Sequence, residues 1–135
     1  MMTREQKRTE LPAPYTDLVI EKSNFLLRAN MLEVQQQFDE AAELFAKAAA
    51  IEAQLAVTAQ QSGQRDIAMV HLISEMSCWA AAGDTYRALA QGQQVLALPG
   101  LTAAQRTHIN DFLKQLNQRR RTWMASWTYP VAATA

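Results

Sequence analysis

Phe38-Asp-Glu-Ala-Ala-Glu-Leu-Phe-Ala-Lys-Ala-Ala-Ala-Ile-Glu-Ala53 decides the fold. Its apolar residues recur every three or four positions. Ala41, Leu44, Ala48, Ile51 and Leu55 make one stripe, with Phe45 beside it. That period is the mark of an amphipathic helix. Asp39 and Glu40 stand at its start, where the helix dipole favours acids. Ser62-Gly63 stops it, glycine suiting the left-handed position after a helix. Small residues within the stripe imply a second helix lying close.

The same pattern extends outward from this helix. Towards the N-terminus, Leu18, Phe25 and Leu32, with Val34 at the margin, give a first helix from about Tyr15 to Gln36 and Gln37. Neither Gly nor Pro marks that break, so a single helix through Ala59 is the competing reading. Towards the C-terminus, a third helix is expected from about Arg65 to Ala82. Met69, Leu72, Met76 and Trp79 fall on one of its faces; His71, Glu75 and Cys78 fall on the other. Gly83-Asp84 breaks it, and Asp84 can cap a fourth helix over Thr85 to Leu96. Tyr86, Leu89 and Val95 are the apolar members of this short helix, and Gly92 weakens it. Leu98-Pro99-Gly100 stops the chain again. Thr102-Ala-Ala-Gln105 has the capping-box spacing and opens a fifth helix. Ile109, Phe112, Leu113, Leu116 and Trp123 form its stripe.

The expected architecture is therefore all-α, an antiparallel stack of about five helices. A polar N-terminal tail (1–14) precedes the helical domain (15–124), and an apolar C-terminal tail (125–135) follows it. The 135 residues suffice for one domain with its own core. Thirteen basic and thirteen acidic residues cancel, so no global field attracts nucleic acid. Arg119, Arg120 and Arg121 read as the solvated end of helix five, where positive charge is favoured. The one cysteine, Cys78, has no intramolecular partner, and a reducing cytoplasm is expected. No apolar run approaches the roughly 18 residues of a membrane span, and the polar first ten residues do not read as a secretory leader.

Phe25, Ala29, Leu32, Phe38, Ala41, Phe45 and Ala48 fit successive large and small positions of one tetratricopeptide repeat, and the chain resembles that family over about half its length. Leu72, Met76, Trp79, Gly83-Asp84 and Ala88 fit a second copy. Gly92 stands where the family has a large residue, and Pro99 comes one place early. Ala41 and Ala88 lie 47 residues apart, against about 34 in the standard repeat. The resemblance implies a protein that binds peptides or proteins in a groove lined by its first, third and later odd helices. That groove would show Ser23, Leu26, Asn30 and Glu33 from helix one, and Val70, Ile73 and Ser77 from helix three. The relatives that clamp a C-terminal carboxylate carry Lys where this chain has Leu26. Only Asn30 matches that clamp.

Chemistry is sparse. His71, Glu75 and Cys78, four and three apart, are the one set of ligand-type residues on a helical face. They define the alternative reading, a helical-bundle metal protein or enzyme, which needs a further ligand from another helix. The simpler reading is a surface His–Glu pair beside a half-buried thiol. His71 and His108 are the only histidines. No Gly-rich phosphate loop, Gly-x-Ser-x-Gly elbow or Cys-x-x-Cys pair is present. The leading expectation is a non-enzymatic interaction module without cofactor or metal: an adaptor, a small chaperone or an accessory subunit. Its partner is another protein or a second copy of itself, with no membrane, nucleic-acid or small-molecule partner indicated. Trp127 and Tyr129 in the tail need cover, from the domain itself or from a partner.

Overall fold

Among the described residues five helices follow one another with short connections: α1 (Ala13–Val34), α2 (Phe38–Gln61), α3 (Arg65–Ala81), α4 (Thr85–Leu96) and α5 (Ala103–Ala133). The computed structural model describes residues 11–133, with side chains described through Trp127. No strand occurs among these residues, and no helix is long and apolar enough to cross a membrane. Each helix packs antiparallel on the next, and α3 lies between α2 and α4.

Three connections share one geometry. After α2, Gly63 takes φ 76°, its N–H bonding Gln60 O while that of Gln64 reaches back to Ala59 O. After α3, Gly83 (φ 82°) and Asp84 repeat the pattern on Ala80 O and Trp79 O. This is the Schellman stop, which satisfies the last carbonyls of a helix. After α1 the same bonds run from Gln36 to Glu33 O and from Gln37 to Leu32 O. Here the left-handed residue is Gln36, at φ 61°. The break between α1 and α2 is therefore real, and the single-helix reading is excluded. It lacked a sequence marker because a glutamine occupies the glycine position. Beyond each turn the new helix buries an alanine four residues on: Ala41, Ala68 and Ala88.

Helix starts are as local as the stops. Asp84 Oδ1 accepts from the Arg87 N–H at 3.0 Å. Thr102 and Gln105 form the reciprocal capping box, each bond 3.0 Å. Pro14 lies in the first turn of α1, where a missing N–H leaves no helical bond unmade.

The core has two parts. Around α2, Ala29, Ala41, Leu44 and Phe45 pack with Phe25, Leu26 and Leu32, and Ala48, Ala49 and Cys78 continue this layer with Trp79 at its margin. Around α4, Met69, Met76, Val95, Ile109 and Leu113 pack with Leu72, Leu89 and Phe112. Gly92 is buried where α5 crosses α4; a Cβ there would meet Leu113 Cδ2 at 2.5 Å. The weak helix former is thus the residue that lets α5 approach.

Two expectations about α5 change. Its helix continues through Ala133 rather than giving way to a separate tail near residue 125. Trp123 is exposed instead of completing the buried stripe. The reason is length. At about 1.5 Å per residue, α4 spans roughly 18 Å and α5 roughly 46 Å. Burial on α5 ends at Leu116, so its second half extends past the helix that supports it. Val34 and Tyr86, read as apolar members of α1 and α4, are likewise exposed.

Candidate functional site

The most unusual local chemistry lies inside the α1–α2–α3 layer. Leu18, Lys22, Phe25, Ala29 and Leu32 step by four and three along α1, so Lys22 stands within the apolar stripe. Ala48, Glu52, Leu55 and Ala59 do the same along α2, so Glu52 stands within that stripe. The two charges meet. Lys22 Nζ is 2.9 Å from Glu52 Oε1. The other carboxylate oxygen, Oε2, is 2.6 Å from His71 Nδ1 on α3. His71 Nε2 is in turn 2.6 Å from the Tyr15 hydroxyl on α1. Glu52 is only 1% exposed, and His71 is buried.

The protons in this row follow from its ends. A carboxylate only accepts, so His71 Nδ1 carries the hydrogen and donates to Glu52. Burial pushes the Tyr15 phenol above its ordinary value, against the opposing pull of Lys22. The neutral phenol therefore donates to Nε2. If the ring gains a second proton, Nε2 donates and the phenolic oxygen accepts, so both charge states of His71 keep two partners. Among the described residues no buried side-chain N or O is without a hydrogen bond. The row ties three helices together, and its buried atoms are satisfied within it. Surface hollows lie elsewhere, among them one on α5 and one between α3 and the residues around Leu98 and Pro99.

The set His71, Glu75 and Cys78 is not brought together as a site. His71 and Cys78 face the α1–α2 layer, while Glu75 turns towards α4. Glu75 accepts from Trp79 Nε1 at 3.0 Å and from Gln91 Nε2 at 3.1 Å. Burial pushes its carboxyl up, opposed by the Trp79 hydrogen bond. Burial, reinforced by the Glu52 carboxylate, pushes the Cys78 thiol up to about 11. A thiol protonated at neutral pH is a poor nucleophile and a poor metal ligand. Among the described residues no three His, Cys, Asp or Glu side chains converge as a metal ion requires. The sequence alone suggests a surface His–Glu pair beside a half-buried thiol, but the face that carries His71 and Cys78 is interior. It is buried because α3 packs on both sides, against α2 as well as α4.

The expected groove residues divide. Ser23, Asn30 and Glu33 are exposed on α1, and the Ser23 hydroxyl donates to its own helix at Val19 O. Leu26 is half-buried against the Ala48–Cys78 layer. On α3, Val70 is exposed, Ile73 packs at the edge of the α4–α5 core, and Ser77 bonds back to Ile73 O. A shallow hollow between α3 and the start of α5 gathers Val70, Ile73 and Ser74 with Ala104, Gln105 and His108.

Near the C-terminus, Trp123 and Trp127 have ring centroids 5.3 Å apart, and Trp127 is 67% exposed. Met124 is exposed beside them. Tyr129 lies outside the residues whose side chains are described.

Sequence reasoning missed the Tyr15–His71–Glu52–Lys22 row, although its signal was present: one acid and one base each replace an apolar residue inside a buried stripe. No protein-family model, curated protein or solved structure matches this chain.

Proposed function

We propose that this chain is a non-catalytic helical scaffold that binds another protein, in the manner of an adaptor, a small chaperone or an accessory subunit. One observation carries the reading. Trp123, Met124 and Trp127 stand exposed on the part of α5 that extends beyond its supporting core. Large aromatic side chains of this kind anchor protein interfaces, and a contiguous apolar patch on a monomer calls for a partner. The successive hairpins α1–α2 and α3–α4, with α5 beginning a third, support a tetratricopeptide-like arrangement. The hollow that gathers Val70, Ile73 and His108 lies between its first helices of adjacent pairs. The polar row supports a scaffold over an enzyme, because its members satisfy one another. A protonated, buried Cys78 suits a reducing cytoplasm.

The test is a comparative pull-down from native extract with the wild type and Trp123→Ala/Trp127→Ala. A protein captured by the first and lost with the second supports the reading. Identical capture by both removes the aromatic end from the interface. Deleting residues 126–135 should leave the melting temperature nearly unchanged, since Trp127 contributes little to the core. A sharp fall would place that segment within the folding unit.

A further inference from the structure

The outer side of α1 carries a second apolar surface, far along the chain from the aromatic end of α5. Ile20, Leu27, Met31 and Val34 are each more than half exposed. Their spacings of seven, four and three place them on one stripe, opposite the stripe that packs on α2. From Ile20 to Val34 the stripe is about 21 Å long at 1.5 Å per residue. It has the spacing of a coiled-coil seam, and among the described residues α1 is the end helix of the stack, with α2 and α3 on its other side.

The flank of the stripe indicates what covers it. Asp17 and Glu21 lie towards its N-terminal end and Arg28 lies beyond its middle, all on the same side by helical angle and all exposed. None of the three forms an ion pair among the described residues. Acid at one end and base at the other is self-complementary only when two such helices run antiparallel. Glu21 then faces Arg28 of the second copy, and the two-fold axis repeats the pair. A parallel two-fold pairing would carry this flank to opposite sides of the seam, so its acids and base would not meet their copies. Asn24 falls within the stripe near the midpoint of Glu21 and Arg28, close to where that axis would pass. Flanking charges set orientation in such seams, and a single polar residue in the seam sets register.

We propose that this protein self-associates as a two-fold dimer through α1, with the α1 helices antiparallel and Ile20 of each copy against Leu27 of the other. The occupant of the stripe is a second copy of this chain. This dimer leaves the aromatic end of α5 open for a different protein.

Analytical ultracentrifugation over a concentration series tests it. The wild type is expected to be a dimer. Leu27→Glu/Met31→Glu should weaken association about tenfold or more. Its circular dichroism and melting transition, extrapolated to low concentration, should match those of the wild type, because both residues are exposed in the single chain. Arg28→Glu alone should weaken the dimer, and Glu21→Arg/Arg28→Glu should restore it, as only the antiparallel pairing requires. Trp123→Ala/Trp127→Ala should dimerise as the wild type does, so loss of the α5 interaction and loss of this dimer are read separately. A wild type that is monomeric at every concentration overturns the proposal. A wild-type monomer that dimerises only after removal of residues 1–10 also overturns it, by making that segment the occupant. So does a dimer that survives Leu27→Glu/Met31→Glu or that is lost with the tryptophans.

Discussion

Two layers of the same stack are held together differently. Between α1 and α3 the core is crossed by Tyr15, His71, Glu52 and Lys22, joined end to end. Around α4 and α5 the buried cluster is Met69, Met76, Val95, Ile109 and Leu113. An apolar seam stabilises any arrangement that fills space, whereas a buried ion pair with a hydrogen-bonded histidine is satisfied in one register only. The first layer therefore gives α1 a unique position on its neighbours. The second lets α5 come close, through Gly92, and then run on without support. Order imposed by partnered polar groups and attachment by apolar contact are separable, and substitutions can separate them.

The largest expected effect is on the polar row. Glu52→Ala leaves Lys22 and His71 without their shared partner inside the layer, and should cost about 3–5 kcal/mol in urea unfolding. Replacing Lys22, Glu52 and His71 together, by Lys22→Met/Glu52→Leu/His71→Leu, should recover most of that loss, because breaking a buried pair costs more than replacing it with apolar side chains. If Glu52→Ala is nearly neutral, water reaches the row and the contrast between the layers fails.

A smaller loss is expected at the close crossing in the same layer. Ala48 is 0% exposed, and Ala48→Leu should overpack it by roughly 1–3 kcal/mol. An unchanged denaturant midpoint would show a seam as tolerant as an open surface.

Gln36→Gly should move stability the other way. A non-glycine residue in the left-handed region carries a cost of order 1 kcal/mol, so the glycine should raise stability by roughly 0.5–1 kcal/mol. Gly63→Ala and Gly83→Ala should lower it by a comparable amount. No gain at Gln36 would mean that its side chain contributes something the backbone geometry does not reveal.

The mildest effect is a pH dependence in the alkaline range. The folded Cys78 thiol holds its proton up to about 11, against an ordinary value of 9.0. Between these values the native state binds more protons than the unfolded chain. Stability is then complete below pH 9 and falls as pH rises through 11. Tyr15 adds a contribution of the same sign at higher pH. Cys78→Ala should flatten the urea midpoint between pH 9 and 11, and an unaltered slope would assign the effect to other groups.

The sequence by itself determined where α2, α3 and α4 stop and where α4 and α5 start, because local rules set those ends. Gly63, Gly83 and Pro99-Gly100 stop helices, Asp84 and the Thr102–Gln105 pair start them, and the three-and-four period fills the spans between. It also selected the α2 stripe, from Ala41 to Leu55, as buried. Only the tertiary structure decided which second face of a helix is covered. His71 and Cys78 became interior because α3 has neighbours on two sides, a fact absent from its own periodicity. Trp123 became exposed because α4 is less than half as long as α5, and a helix can bury a stripe only along the length of its neighbour. The meeting of Lys22, Glu52 and His71 likewise depended on the register of three helices. Each lies on a different element, and separation along the chain says nothing about distance across a packed layer.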